Sequence, residues 1–444
     1  MRVTWIQPED LIGHELRQAR EEGKDVDAVE ARWLGAGGAP APARGASQEP
    51  VAPELRALAH ELLDDVAAIE RPLAAEEPDE LAAILVAAPG VPPLALADDA
   101  DERVRRAWIG RAVGCLLGKP VESIPREGIR AIADGTGNWP VQSYFTAVGL
   151  DPAVTERWPW NRASRPTSLV ETIDGMPEDD DLNFTMLAVA LLERCGPSFT
   201  SLDVAKIWLD FLPPGRIFTA ERVACRNLLL ALLPPETALH HNPFREWIGA
   251  RLRVDAYGWA APADPLAAAR MAWEDARVSH TANGVYAAMF MAAAHAATLA
   301  DGVSAPDAAD VGLGVVPAGS RLAEALRFAR AQSGEWESIV DALYARYSTL
   351  HWVHAINNTA LTAAAMYHSR SFDDAVCRVV AGGWDTDTNG AAVGSVFGAL
   401  GPVDARWSDP LHDRAASSLP GFDGSSFGAL AQRTLEVTAA PSCA

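Results

Sequence analysis

Apolar residues recur at helical spacing along nearly the whole chain, and long β-branched runs are scarce. Leu11, Ile12, Leu16 and Ala19 make a narrow stripe that predicts a helix over residues 8–22, with Gly23 as its stop. A second short helix is predicted over 26–34. Leu55, Leu58, Leu62, Val66 and Ile69 repeat the pattern. Pro78 suits the first turn of the next helix, and the stretch from Pro89 to Pro93 breaks it. The region between Trp208 and His241 reads as helix in pieces, interrupted at Pro213-Pro214 and Pro234-Pro235. Asn242-Pro243 predicts the start of a helix that includes Gly249-Ala250-Arg251. Asp264-Pro265 predicts another, a cap followed by a first-turn proline, running to Ser279-His280. Residues 286–299 read as an Ala-rich buried helix, and 372–380, 391–400 and 427–437 as further helices. Residues 134–174 lose the periodicity but hold Trp139, Tyr144, Phe145, Trp158 and Trp160. So aromatic a segment argues against disorder; it fits a lid, aromatic walls for a planar group, or plain packing onto the core.

Ala and Leu dominate the 444 residues, which favours helix nearly throughout. The expected fold class is therefore all-α. The expected division is an N-terminal helical arm at 1–34, a Gly/Ala/Pro-rich flexible linker at 35–52, a helical extension at 53–100 and a catalytic domain at 101–440. A formal net charge of −22 disfavours nucleic acid and anionic membrane as partners. The five cysteines are scattered without a C-x-x-C pair, which points to a reducing compartment. No secretory signal or membrane span is readable, so the cytoplasm is the expected location.

Gly110, Gly114 and Gly118 lie four apart, and Gly390, Gly394 and Gly398 repeat that spacing. On a helix each set forms a bare ridge. Glycine costs roughly 1 kcal/mol per helical position against alanine, so each ridge calls for a compensating contact. The expectation is that the two ridges meet and bring Glu122 towards Asp385 and Asp387.

Candidate chemistry concentrates in two acidic stretches. In Gly382-Gly383-Trp384-Asp385-Thr386-Asp387-Thr388-Asn389-Gly390, two carboxylates and several alcohol or amide oxygens lie between glycine steps, and hard divalent cations need such oxygens. Thr388 stands where a helix would begin, free to cap or to ligate. Glu178-Asp179-Asp180-Asp181 opens an apolar helix running to about Leu192. Acids at a helix start are favoured by its dipole, but four repel one another unless a cation neutralises them. His280 and Asn283 sit at a turn, where the histidine is either structural or a ligand. His351 and His354 share a predicted helical face with Asn357 and Asn358, a set suited to hydrogen bonding around a pocket.

Together with Gly114-Cys115-Leu116-Leu117-Gly118-Lys119-Pro120-Val121-Glu122, these stretches resemble, in order and separation, the ADP-ribosylglycohydrolase family over about residues 103–406. The resemblance implies a compact orthogonal bundle of helices, here with an N-terminal helical extension like that of one bacterial branch. It implies two divalent cations, Mg²⁺ or alternatively Mn²⁺, and cleavage of the bond between ADP-ribose C1″ and a protein side chain or small molecule. Carried over, Asp179 and Asp180 match the first metal cluster, with Glu178 beside them, and Asp385, Asp387 and Thr388 match the second. Glu122 matches a glutamate that gates or ligates one ion. Glu122 and Asp180 are the expected catalytic carboxylates. Gly118, Lys119, Gly249, His280, Asn283, His354, Gly383 and Trp384 are the expected substrate-binding positions. The family usually has Thr at positions 178 and 181 and Asp at 115, where this chain has Glu178, Asp181 and Cys115.

The chemistry expected of such a site holds a ribose by its 2″ and 3″ hydroxyls, stabilises positive charge on the ring and uses Asp180 or Glu122 to deprotonate water. Two alternatives stand beside it: a hydrolase of another ribosyl N-glycoside lacking the ADP half, and a non-catalytic relative that binds metal or ADP-ribose.

Overall fold

The computed structural model describes residues 3–42 and 49–439. It is all-α, and among the described residues only isolated bridges stand in for strands. The organising element is Ala282–Thr298, buried at every position. A helix apolar on all sides has to be enclosed, and its many alanines let neighbours approach closely. Pro265–Ala276, Asp255–Ala260, Ala305–Leu313, Ala355–His368 and Thr386–Leu400 pack around it. Asp264 caps the first of these, accepting from Ala267 N at 3.0 Å.

The two glycine ridges meet. Ala100–Gly118 and Thr386–Leu400 cross antiparallel, Gly110 against Gly394, Gly114 against Gly390 and Gly118 against Thr386. A Cβ at any of the three would overlap the opposing backbone, so the lost propensity is offset by a contact only glycine permits. This contact sets the end of one helix beside the start of the other. Gly114→Ala is expected to destabilise the protein by about 1–3 kcal/mol or more, measured by urea unfolding; a change within about 0.5 kcal/mol would mean that the ridges separate freely.

The N-terminal helices Pro8–Glu21, Asp27–Gly35 and Pro53–Ala68 build a second apolar cluster. Leu11, Ile12, Leu16, Trp33, Leu62 and Val66 share it with Ala220, Val223, Phe244 and Trp247. Polar pairs cross the same boundary: Arg245 bonds Glu15 at 2.8 Å and Glu22 at 2.7 Å, and Gln18 donates to Glu246 at 2.8 Å. The expected linker at 35–52 lies partly outside the described residues.

Some local expectations differ. The helix after Pro78 begins at Leu81. Residues 242–247 are turns, because the Asn242 side chain bonds backbone groups of Ala220, Ser279 and Phe244 and so competes with helix formation. Helix there is confined to the 3₁₀ segment Ile248–Arg253. His351 precedes Ala355–His368 and does not lie on it, while His354 caps it, its Nδ1 accepting from Ile356 N at 3.2 Å. No helix among the described residues is long and apolar enough to cross a membrane.

Candidate active site

Three segments distant in sequence converge where the ridges end. After Gly118 a 3₁₀ turn, Lys119–Val121, leads to Glu122. The Thr386 hydroxyl donates to the Gly118 carbonyl at 2.8 Å and ties this turn to the opposing helix. The second segment is the start of Asp180–Cys195, capped by Asp179, whose Oδ1 accepts from Asp181 N at 2.9 Å. The third is the turn into Thr386–Leu400. Gly383 and Trp384 both have positive φ, +81° and +59°. For tryptophan this costs about 1–3 kcal/mol. The indole stacks on Tyr344 at 4.3 Å and 8°, and the Tyr344 hydroxyl donates to the Gly382 carbonyl at 2.9 Å. Those contacts hold the turn and point Asp385 and Asp387 inward.

Two groupings result, Cys115–Asp179–Asp181 and Glu122–Asp385–Asp387, each with ligand atoms within 4.8 Å of one another. Asp179, Asp181, Asp385 and Asp387 are buried, whereas Glu122 and Asp180 keep an edge open to solvent. Desolvation, then the charges of Asp387, Asp180 and Asp179, pushes Glu122 well above the usual carboxylate range. Burial and Asp179 push up Asp180 and Asp181; burial and Asp387 push up Asp385; burial and Asp179 raise Asp387. Asp179 is the exception. Burial would raise it too, but the Lys119 ammonium and its hydrogen bonds outweigh burial and hold it below the usual range.

A carboxyl raised in the fold stabilises it below the unfolded pKa of about 4 and loses that contribution as pH climbs through the folded value. Buried His14, His280, His351 and His354 are held below the ordinary histidine value by desolvation. They act oppositely, but only below about pH 6.5. In chelator, the contribution of these carboxyls to the melting temperature should therefore fall as pH rises, and Mg²⁺ should raise the melting temperature more at higher pH, where protons compete less for the carboxylates. A Mg²⁺-induced gain independent of pH would count against ligation by these groups.

Of the other expected residues, Gly118 packs on the Thr386–Asp387 backbone, Lys119 bonds Asp179, and Thr388 donates to Asp181 Oδ2 at 3.1 Å. Glu178 turns aside: its carboxylate meets Asn183 Nδ2 at 3.2 Å and Arg216 at 3.2 Å. Gly249, His280, Asn283 and His354 have their partners elsewhere. Gly249 faces the Glu221 carboxylate, and His280 bonds Ser279 Oγ at 2.8 Å. Asn283 donates to Glu246 at 2.8 Å, and His354 lies 3.5 Å from Glu21. A cleft of about 780 Å³ opens at the far end of Thr386–Leu400, between Ser304, Arg370, Phe397 and Leu400, and holds none of the clustered carboxylates.

Arg111 and Asn161 support the site without standing out in the sequence, and Asn358, expected among hydrogen-bonding residues around a pocket, and Arg251 join them. Fully buried Arg111 bonds Asp255 Oδ1 at 2.9 Å, the Asp181 carbonyl at 2.8 Å and Asp181 Oδ1 at 3.4 Å. Its signal was a full charge inside the glycine ridge. Asn161 donates to Glu122 Oε2 at 2.7 Å. Asn358 Oδ1 accepts from Asp385 N at 3.1 Å and from Asn389 Nδ2 at 2.7 Å, and Arg251 braces Asn389 at 2.6 Å.

No curated protein matches the chain. A solved structure described as an "ADP-ribosylglycohydrolase-related protein complex" is 20% identical with a TM-score of 0.47, covering 77% of this chain and 100% of that one. A family model described as ADP-ribosylglycohydrolase matches residues 96–442, the span that contains all three converging segments, and the chain belongs to the ADP-ribosylglycohydrolase family.

Proposed function

We propose that the chain is a metal-dependent hydrolase that cleaves the C1″ glycosidic bond of an ADP-ribosylated protein side chain or small molecule. The observation that carries this reading is the convergence of Glu122, Asp385 and Asp387, with Asp180 near enough for its charge to act on Glu122, in a member of this family. The donor set fits a hard divalent cation, Mg²⁺ or Mn²⁺. Oxygens predominate, they approach closely, and mutual repulsion leaves them short of positive charge. Asp180, Asp385, Asp387, Glu122 and Thr388 are the residues that would hold it. Bound there, a cation supplies a Lewis acid for sugar hydroxyls and for water.

The protein's own groups do the rest. Glu122 and Asp180 reach solvent, and burial and neighbouring carboxylates raise both above the usual carboxylate range, which strengthens either as a base for the proton of an attacking water. Asn161 holds Glu122 Oε2 and leaves the other oxygen for that task. The negative field of the cluster favours the positive charge that builds on the ribose ring as the leaving group departs. Since hydroxyls and anomeric carbon are held on one face, a single anomer is accepted.

A second reading keeps this chemistry and changes the substrate to a ribosyl N-glycoside without the ADP half. One observation favours it. Arg251, two residues beyond the expected substrate-binding Gly249, is fully buried and committed to Thr362 and Asn389 at 2.6 Å each. Assaying ADP-ribosyl-arginine, O-acetyl-ADP-ribose and plain nucleosides in parallel separates the two. The first reading expects turnover of an ADP-ribosyl compound, abolished by chelator. Turnover of nucleosides alone would move the assignment to the second, and undiminished turnover in chelator would sink both.

A further inference from the structure

The two carboxylate groupings are not equally free to receive an ion. In the first, each oxygen already has a protein donor. Asp179 Oδ1 accepts from Asp181 N, and its Oδ2 from the Lys119 ammonium. Asp181 Oδ1 faces Arg111 and its Oδ2 accepts from Thr388 Oγ1. The third member, Cys115, is a fully buried thiol, and sulfur is a poor partner for a hard cation.

The second grouping is different. Among the described residues no lysine, arginine or histidine forms an ion pair with Glu122, Asp180, Asp385 or Asp387, while Lys119 and Arg111 are both spent on the first grouping. Lys119 is 6% exposed and sends a further hydrogen bond to the Glu178 carbonyl at 3.3 Å. Its position is set by the backbone: it directly follows Gly118, which the ridge contact presses against Thr386. The ammonium is thereby committed to the Asp179 side of the site. A second divalent ion there would have to displace it, stranding an ammonium in a buried place, or sit against it.

We propose that this site takes one divalent cation, at Glu122, Asp385 and Asp387, and that the Lys119 ammonium occupies the place of the second beside Asp179. This rests on the functional reading above and departs from the two ions that the family resemblance implies. Lys119 is then a positioning residue, a built-in cation paired with Asp179.

The test is the metal count of the full-length protein, stripped with chelator and titrated with Mn²⁺ by calorimetry and electron paramagnetic resonance. The wild-type chain is expected to bind one Mn²⁺ with an uncoupled spectrum, and Asp385→Asn to lose it. Lys119→Met is expected to gain a second, exchange-coupled Mn²⁺, whereas Lys119→Arg keeps the count at one. Two coupled ions in the wild-type chain would overturn the inference and leave metal-dependent hydrolysis standing. A Lys119→Met protein that still binds one would overturn the role given to Lys119, and if that variant does not fold, the wild-type count decides. No binding in the wild-type chain would take down the functional reading itself.

Discussion

Asp387→Asn is expected to lower metal-dependent turnover by about 10²–10³-fold or more while the protein remains folded. The amide keeps the shape of the side chain, and its oxygen can still accept from Thr388 N, as Asp387 Oδ1 does at 3.0 Å. What disappears is a charge from the grouping that has no protein cation of its own. The same loss relieves repulsion, because Asp387 raises Glu122, Asp180 and Asp385 alike. In chelator the variant should accordingly melt at or above the wild-type temperature, even though it is inactive with metal. Asp385→Asn should behave likewise. Steady-state rates with Mg²⁺ and calorimetry with chelator read the two halves of this expectation. Full activity in either variant removes the mechanism; inactivity with a collapsed melting temperature would make these aspartates structural.

The largest effect on stability is expected from Arg111→Leu, about 3–5 kcal/mol. The guanidinium is fully buried and serves Asp255, both the carbonyl and carboxylate of Asp181, and the Leu252 carbonyl. Leucine fills part of the space but leaves two buried carboxylates without their cation. His295 lies 3.2 Å from Asp255, and burial, with the charges of Arg111 and Arg251, holds that imidazole below its ordinary pKa. Urea unfolding in chelator measures the loss directly. A change below about 1 kcal/mol would mean that Asp181 and Asp255 are neutralised by other means.

The helices were legible because their signals are local: an Asp-Pro start at 264, apolar stripes at 11–19 and 55–69, and alanines through 286–299. The meeting of the ridges was legible for another reason. Three glycines on one helical face make sense only beside another backbone, and two such faces invite pairing. The acidic stretches announced themselves as concentrated like charge. What lay hidden depends on three-dimensional partners. Nothing near Asn358 in the sequence says that its oxygen will hold the Asp385 amide, and the inward turn of Arg251 follows from Thr362 and Asn389, far along the chain. Lys119 was visible beside the ridge and was assigned to substrate, since its bond to Asp179 is set by tertiary packing.

The docked N-terminal helices bear on how this protein is to be handled at the bench. The family match begins at residue 96, which makes that residue a tempting place to start a shortened version. Such a truncation would bare Phe244 and Trp247 and strip Arg245 of Glu15 and Glu22, and Arg321 of Glu77. It should yield poorly soluble protein, and an inactive sample of that kind would say nothing about catalysis.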